Sequence, residues 1–233
     1  MKKIVIFGAL AMVLLILTSC APSQTTKQEA FPKMYSDRPS VILVLPPINQ
    51  TTAADAKDYY STTIAEPLSY VGYYILPIEV TNDILKSEGI YDTELISNVP
   101  LQKFKDFFGA DAVMFVYISK WDTSYYVIGG HVTVAATLIL KSTTTGDELW
   151  KYRGMLQVDT SGGNMGGGIA GLIAKVIVTA INTAGTDYVP IAKRVSHRTV
   201  ASMPYGKYHP ACAKDGSDQI IMQVESPAQA QAQ

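Results

Sequence analysis

Three histidines and two cysteines are the side chains of this sequence best suited to metal binding or nucleophilic catalysis. His209 and Cys212 are three positions apart and Asp215 follows, but these residues fall short of the three or four good ligands that a zinc site needs. The spacing instead predicts a proline-bounded surface loop with an unpaired thiol. His131 alternates with apolar residues, which places it at the surface or on a second packing face. Neither it nor His197 forms a helical pair with glutamate, as a zincin-type site requires.

Residues for nucleophilic or acid–base catalysis cannot be assigned from the pattern either. The chain has no Gly-x-Ser-x-Gly elbow that would expose a nucleophilic serine. Asp111 comes directly before an apolar run, and this position predicts a cap or turn role. We therefore expect a protein that is not an enzyme, with no catalytic residues, no cofactor and no metal.

A glycine-rich stretch at 162–168 raises the question of phosphate binding. A P-loop needs Lys followed by Ser or Thr at the start of its helix, whereas here Ile169 comes first and the first lysine is Lys175. A dinucleotide-binding fingerprint has its glycines directly after a first strand, with an acidic residue about 20 positions later. These glycines come near the end of the folded chain, so neither nucleotide site is expected.

The apolar run after these glycines, residues 169–181, is typical of a core or interface helix. Insertion into a membrane is the alternative, although the run is shorter than a span and carries Lys175 near its centre. Its glycines also have the small-x-x-x-small spacing that lets helices pair closely. The predicted self-association face consists of Gly167, Ile169, Gly171, Leu172, Ile173 and Val176.

The N-terminus has the parts of an export signal: a basic start, an apolar run over residues 4–17 and small residues before a cleavage site. The apolar run is shorter than the ~20 residues of a membrane-spanning helix. The sequence LTSC at 17–20 resembles the bacterial lipobox, which implies cleavage before Cys20 and acylation of its thiol and new amine. An ordinary secretory signal that happens to precede a cysteine is the alternative.

Ala21 follows the cysteine, where lipoproteins retained in the inner membrane typically carry Asp. The lipobox resemblance therefore implies an outer-membrane anchor, with the periplasmic side expected and surface exposure as the other option. The leader contains 2 of the 19 basic residues, so its removal leaves 17 against 20 acidic residues, a net charge of −3. Nucleic-acid binding needs a basic excess and is not expected. With Cys20 acylated, Cys212 has no partner in its own chain.

Composition divides the chain into a signal peptide at 1–19 and three further parts. Residues 20–38 are polar and punctuated by proline, which predicts the lipidated cysteine and a flexible tether. Residues 211–233 end in VESPAQAQAQ and are expected to form a disordered tail. Residues 39–210 are expected to form a single domain around one hydrophobic core.

The first half of this domain is predicted to form a strand–helix–strand crossover unit. An aliphatic run at 41–49 predicts a strand buried on both faces. Helical spacing follows over 51–70, with Pro67 expected to kink or shorten the helix, and 73–77 forms a second strand. Strand, helix and strand at these lengths predict a right-handed parallel crossover.

Two short helices and an antiparallel hairpin are expected next. The helices cover 81–88, with a threonine cap at the first residue, and 100–108. A buried strand follows at 110–121, and alternating residues at 131–141 pair through a turn with 149–158. The predicted class is an α/β fold with a mixed sheet of parallel crossover strands plus an antiparallel hairpin, and helices packed on the sheet.

An ordered set of segments resembles an uncharacterised lipoprotein family of Gram-negative bacteria that includes a meningococcal surface-antigen candidate. The segments span residues 32–210 and include PKMYSDRPSVILVLPPIN, EPLSYVGYYILPIEV, FGADAVMFVYISKWDTSY, TTTGDELWKY and PYGKYHP. Lys207 departs from the small or imino residue expected in the last of these. The resemblance implies a domain similar to the N-terminal domain of TolB and a role in envelope assembly or export, and it implies no known chemistry.

The expected function is that of a lipid-anchored outer-membrane lipoprotein, a non-catalytic binding or assembly factor in envelope biogenesis or export. Its expected partners are the membrane, through the lipid, other envelope proteins such as a lipoprotein resembling the curli channel, and a second copy of itself. Paired tyrosines, one of each strand pair facing out, suit such interfaces, and the exposed rim of an ordinary sheet is the alternative. An envelope hydrolase with a perturbed carboxylate or histidine in a cleft, and a small-solute-binding lipoprotein, are the alternatives.

Overall fold

The computed structural model describes residues 24–126, 129–159 and 187–221. The strands are β1 (Gln24–Thr26), β2 (Val41–Val44), β3 (Ile48–Asn49), β4 (Tyr74–Ile75), β5 (Ala112–Tyr126), β6 (Gly129–Ser142), β7 (Glu148–Asp159) and β8 (Gln219–Ile221). The α-helices are α1 (Lys27–Ala30), α2 (Pro32–Asp37), α3 (Ala56–Ser61), α4 (Ala65–Tyr70), α5 (Ile78–Ser87), α6 (Gln102–Phe108) and α7 (Val189–Val200). A 3-10 helix occupies Thr93–Asn98.

The main sheet has the strand order β4-β2-β5-β6-β7, with β3 also paired to β5. β2 runs parallel to β4 and β5, whereas β5, β6 and β7 are successive antiparallel neighbours. We call these three long strands the meander. β1 and β8 form a separate two-stranded antiparallel sheet. The predicted mixed α/β fold is confirmed, including its parallel crossover and its hairpin.

Two consecutive prolines divide the strand predicted at 41–49 into β2 and β3. Proline has no backbone N–H to donate to a sheet ladder, so Pro46 and Pro47 interrupt the pairing. The ladder resumes at Ile48, which lies opposite Tyr117 of β5. The first half of the domain therefore contributes two short parallel segments to the sheet.

The crossover contains two helices, α3 and α4, where a single helix is predicted over 51–70. The chain breaks before Pro67, the third residue of α4, because proline cannot donate to the Thr63 carbonyl four residues earlier. Tyr60, Ile64 and Leu68 are nevertheless fully buried on the same side of the sheet. The apolar spacing of the sequence is therefore correct even though the helix is interrupted.

Helices α5 and α6 and the 3-10 helix cover the opposite face of the sheet. α5 begins at Ile78, and the hydroxyl of Thr81 donates to carbonyls of Pro77 and Ile78 inside its first turn, so the predicted threonine cap is wrong. α6 ends at Gly109, whose φ of +69° is the left-handed cap that glycine favours. Both helices turn apolar side chains, Leu85 and Phe104, toward the sheet.

Successive residues of β5 point to opposite faces of the sheet and join two separate cores. Met114, Val116 and Ile118 belong to the larger core, which α3, α4 and α7 cover. Val113 and Phe115 belong to the smaller core beneath α5 and α6. Burial on both faces accounts for the continuous apolar run of this strand in the sequence.

Both predicted boundaries of the folded domain are wrong. The segment expected as a tether is folded from Gln24 onward, and Phe31 and Met34 are buried in the larger core. The segment expected as a disordered tail is folded as far as Ile221, and Ile220 is buried in the same core. The polar composition of these segments predicted disorder, but each packs on the domain through short elements that bury only one or two side chains.

Helix α7 follows the apolar run that the sequence indicates as the last large element. Its Ile191, Val195 and Thr199 are buried at four-residue spacing, and Pro190 stands in its first turn. Gly154 of β7 lies directly beneath this helix, since a Cβ there would come within 2.8 Å of the Val195 side chain. The spacing and the proline were a readable signal for this helix.

Several expectations fall outside the described residues. These are the signal peptide with Cys20, the self-association face predicted within 167–176, and the last part of the tail after Ile221. Across the three described ranges, no helix has the length and apolar character needed to cross a bilayer.

Candidate functional site

The three histidines lie in separate parts of the fold. His131 is on β6, and His197 on α7 stacks on the ring of Tyr70. His209 stacks on Tyr205, with ring centroids 3.7 Å apart. Within the part of the chain that the structure describes, no three His, Cys, Asp or Glu side chains are grouped as a metal site requires.

The loop that carries Asp215, predicted as a proline-bounded surface loop with an unpaired thiol, is attached to the domain through a buried carboxylate. Asp215 is 2% exposed and accepts hydrogen bonds from Lys27 Nζ at 3.2 Å and from the Tyr35 hydroxyl at 3.2 Å. The backbone N–H of Tyr205 donates to the same carboxylate at 2.8 Å. The aspartate therefore fastens the C-terminal loop to the N-terminal helices. We call residues 24–38 and 201–221, where they pack together, the terminal junction.

Lys27 is the buried cation of the terminal junction. Its Nζ donates to the Met203 carbonyl at 2.8 Å, besides its ion pair with Asp215. The same ammonium lies 4.4 Å from the ring centroid of Tyr205, a cation–π distance. A buried charge costs several kcal/mol unless it is paired and hydrogen-bonded, and all three partners meet that need here.

Two glycines allow the C-terminal loop to touch the turn after α4. The Gly206 N–H donates to the Val71 carbonyl at 2.8 Å, and the Tyr208 N–H donates to the Gly72 carbonyl at 3.0 Å. A Cβ on Gly72 would lie 2.6 Å from the Cβ of His209, and one on Gly206 would lie 2.8 Å from the Gly72 carbonyl carbon. Gly72 also has a φ of +90°, which residues with a Cβ rarely adopt.

Two tyrosines complete the junction as hydrogen-bond donors. The Tyr73 hydroxyl donates to the Pro204 carbonyl at 2.7 Å. Burial raises the pKa of Tyr73 well above its usual range, and the negative charge of Asp215 adds to the effect. Burial and the same carboxylate also raise the pKa of Tyr35. Both phenols therefore keep their protons at any physiological pH.

A cavity of about 220 Å³ opens at this junction. Its walls come from residues within 34–40, from Tyr73, and from residues within 204–207 and 212–213. The volume is below the roughly 300–1,000 Å³ of typical small-molecule sites. The cavity therefore fits one side chain, a chain end or a similarly small group.

Positive charge and backbone strain coincide at the cavity. Arg38 and Lys207 line it, and the described lining includes no acidic side chain. Arg38 Nε donates to the Tyr35 carbonyl at 3.0 Å, which fixes the guanidinium at the cavity edge. Arg38 has a φ of +50° and Ala213 a φ of +60°, and both line the cavity. Left-handed conformations of this kind cost about 1–3 kcal/mol each and cluster at binding sites.

The chemistry that this arrangement supports is the binding of a small anionic group. Cys212 also lines the cavity, yet among the described residues no hydrogen bond joins its thiol to a base. His209 Nδ1 accepts from the Ala211 N–H at 3.1 Å instead. The nucleophile–base pair that covalent catalysis requires is not assembled at this place.

Two expectations about individual residues are confirmed next to the cavity. Asp111 has the predicted cap role, since its Oδ2 accepts from the N–H groups of Ser40 and Val41 at 3.0 and 3.1 Å. Tyr73 is buried while its neighbour Tyr74 is 52% exposed, as expected for a tyrosine pair on a strand.

Sequence reasoning missed Lys27, Tyr35 and Arg38. The one signal in the sequence was the position of Arg38 directly before a proline. Lys27 and Tyr35 both bind Asp215, which follows them by 188 and 180 residues, so no local pattern could indicate the contact.

The chain belongs to the GNA1162-like family, because the family model described as "Putative lipoprotein GNA1162-like" matches residues 30–207. It is 28% identical over 178 residues to "Putative lipoprotein NMB1124/NMB1162" of Neisseria meningitidis serogroup B, covering 76% of this chain and 82% of that protein. The predicted family resemblance is confirmed.

The chain can also be compared with solved structures. The chain is similar to the crystal structure of lipoprotein GNA1162 from Neisseria meningitidis, with a TM-score of 0.50 and 30% identity over 63% of this chain and 100% of that one. It also aligns with a PelC dodecamer from Paraburkholderia phytofirmans, with a TM-score of 0.41 and 14% identity over 72% of this chain and 88% of that one.

Proposed function

We propose that this member of the GNA1162-like family is an outer-membrane lipoprotein that faces the periplasm and docks onto other envelope proteins without catalysing a reaction. Acylation of Cys20 after cleavage of residues 1–19 anchors the chain, and several acyl chains hold far more firmly than one. In this proposal the protein serves envelope biogenesis or export, beside a partner that resembles the curli-channel lipoprotein.

The cavity in the terminal junction is the observation that carries the docking role. Arg38 and Lys207 line it, and the hydrogen bond from Arg38 Nε to the Tyr35 carbonyl holds the guanidinium, so less conformational entropy is lost on binding than at a mobile side chain. Guanidinium groups bind carboxylates through paired, charge-assisted hydrogen bonds. The expected occupant is a carboxylate-bearing side chain or chain end of a protein partner.

Mass spectrometry of the mature protein from a Gram-negative host tests the anchor. We expect a chain that begins at Cys20 and carries a diacylglyceryl group and an amide-linked acyl chain. A Cys20→Ala variant is expected to remain unmodified. A wild-type chain that begins elsewhere, or that carries no lipid, would contradict the anchor.

Photo-crosslinking in intact cells tests the docking role. A photoreactive amino acid replaces Tyr208, an exposed residue next to Lys207. Arg38→Gly removes the guanidinium and relieves the left-handed backbone, so we expect about ten-fold less crosslinked partner without a lower melting temperature.

The matched control is Ala213→Gly, which relieves the same kind of strain at the cavity without removing a charge. Its crosslinking is expected to equal that of the wild type. Docking at the cavity is refuted by equal crosslinking in Arg38→Gly and wild type, or by recovery of uncrosslinked monomer alone.

A further inference from the structure

The two ends of the described chain lie side by side. β1 pairs antiparallel with β8, and Gln24 lies opposite Ile221. Gln24 follows Cys20 by four positions, and four residues span at most about 14 Å when fully extended. We infer that the surface formed by β1, α1 and β8, here called the terminal face, lies directly against the lipid bilayer. This inference rests on the proposed acylation of Cys20.

The terminal face is fixed to the rest of the domain. The Lys27 N–H donates to the Asp218 carbonyl at 2.9 Å, and the Gln28 N–H donates to the Gly216 carbonyl at 3.1 Å. The buried ion pair of Lys27 follows directly after β1. The only chain between the acylated cysteine and this fixed structure is residues 21–23, so the domain has no long tether on which to stand away from the membrane.

The side chains of the terminal face suit a lipid–water interface. Gln24 and Gln219 are exposed and uncharged, and Ile221 is apolar and 52% exposed. The nearby exposed charges have both signs and are Glu29, Lys214 and Asp218. Because these three charges sum to −1 and give no basic excess, attachment needs no anionic lipid, and the acyl chains supply the affinity.

If the terminal face lies against the bilayer, the layer formed by α5 and α6 faces away from it. β8 and α1–α2 pack on the side of the larger core, as buried Ile220 and Phe31 demonstrate, whereas α5 and α6 cover the smaller core. Two layers of packing separate these sides by roughly 20 Å. Phe107 on α6 is 64% exposed and marks the distal side.

Fluorescence quenching on vesicles tests this orientation. The lipidated full-length protein carries Cys212→Ser, and a fluorophore is attached at Gln219→Cys on the terminal face or at Phe107→Cys on the distal side. Vesicles of phosphatidylcholine, with and without phosphatidylglycerol, contain a lipid with a nitroxide quencher on its head group. We expect at least about three-fold stronger quenching at position 219 than at position 107 in both kinds of vesicle.

A linker variant serves as the control, with twenty Gly and Ser residues inserted after Ser23. It is expected to lower quenching at position 219 to the level seen at position 107, because the domain can then leave the surface. Equal quenching at both positions in a protein whose lipid is confirmed by mass spectrometry overturns the orientation. A protein without the lipid mass overturns the proposed anchor, and the orientation with it.

Discussion

In the meander, neighbouring strands pair through long backbone ladders. The terminal junction joins the two ends of the chain through the short β1–β8 ladder, a few side chains and close backbone contacts. The β5–β6 ladder runs from the pair Ala112–Ser142 to the pair Tyr126–Gly129 with one irregularity near Ile118. The junction depends on the buried Lys27–Asp215 pair, two glycine contacts and two tyrosine hydroxyls.

This difference determines how each region responds to substitution. A ladder hydrogen bond contributes about 1 kcal/mol net, and its neighbours remain when one is lost. In the junction, a single residue supplies an interaction that no neighbour can replace, such as the cation that pairs with a buried carboxylate. We therefore expect substitutions in the junction to lower stability most. Comparable substitutions elsewhere in the domain should lower it much less.

Gly72→Ala is expected to have the largest effect. The new Cβ would overlap the backbone of His209 and hold a left-handed φ, so we expect a loss of roughly 3–5 kcal/mol in the free energy of unfolding. Gly146, in the turn of the meander, also has a positive φ, but a Cβ added there would have no atom within 4 Å. Gly146→Ala should therefore cost only about 1 kcal/mol. Urea denaturation of both variants measures the contrast, and equal losses would contradict it.

Lys27→Met is expected to have the next largest effect, about 3 kcal/mol, because it leaves the buried Asp215 carboxylate without its cation. Lys33→Met removes the exposed pair between Lys33 and Asp147, whose side chains are 53% and 47% exposed, and should cost less than about 1 kcal/mol. Thermal denaturation compares the two. Adding Asp215→Asn to Lys27→Met should recover part of the loss, and no recovery would argue against an unpaired charge as the cause.

Tyr73→Phe is expected to have the smallest effect at neutral pH, about 1 kcal/mol, from the lost hydrogen bond to Pro204. The sign of its pH dependence is distinctive. Because burial raises the pKa of Tyr73, the unfolded chain releases this proton first, so the contribution of Tyr73 to stability is constant below about pH 10 and falls as pH rises further. The variant lacks this titration, so its stability should fall less steeply between pH 10 and 11. Parallel curves for variant and wild type would contradict the assignment.

The fold of the meander could be predicted from the sequence because its information is local. Alternating residues such as Val132, Val134 and Ala136 face one core, and a turn of five residues, 143–147, joins their strand to its partner. The continuous apolar run of β5 likewise reports burial on both faces. Periodicity captures this kind of structure since each strand repeats the same signal over many residues.

The terminal junction and its cavity could not be predicted in the same way. α1 has four residues and β1 three, too few to display a period. The burial of Lys27 makes sense only beside Asp215, and a cationic side chain in a polar segment reads as solvent-exposed. Arg38 and Lys207 are far apart in the sequence and line the same cavity only through tertiary packing, so the sequence pattern does not predict a shared site.

The pairing of the first strand with the last also orders events in time. Lys27 is separated from Asp215 by 188 residues, so its partner emerges roughly 10–40 s later at ordinary synthesis rates. The crossover and the meander pair among residues that are synthesised earlier, so they can form before Asp215 is synthesised. Residues 24–28 can therefore complete their backbone pairing only after residues 216–221 have been synthesised.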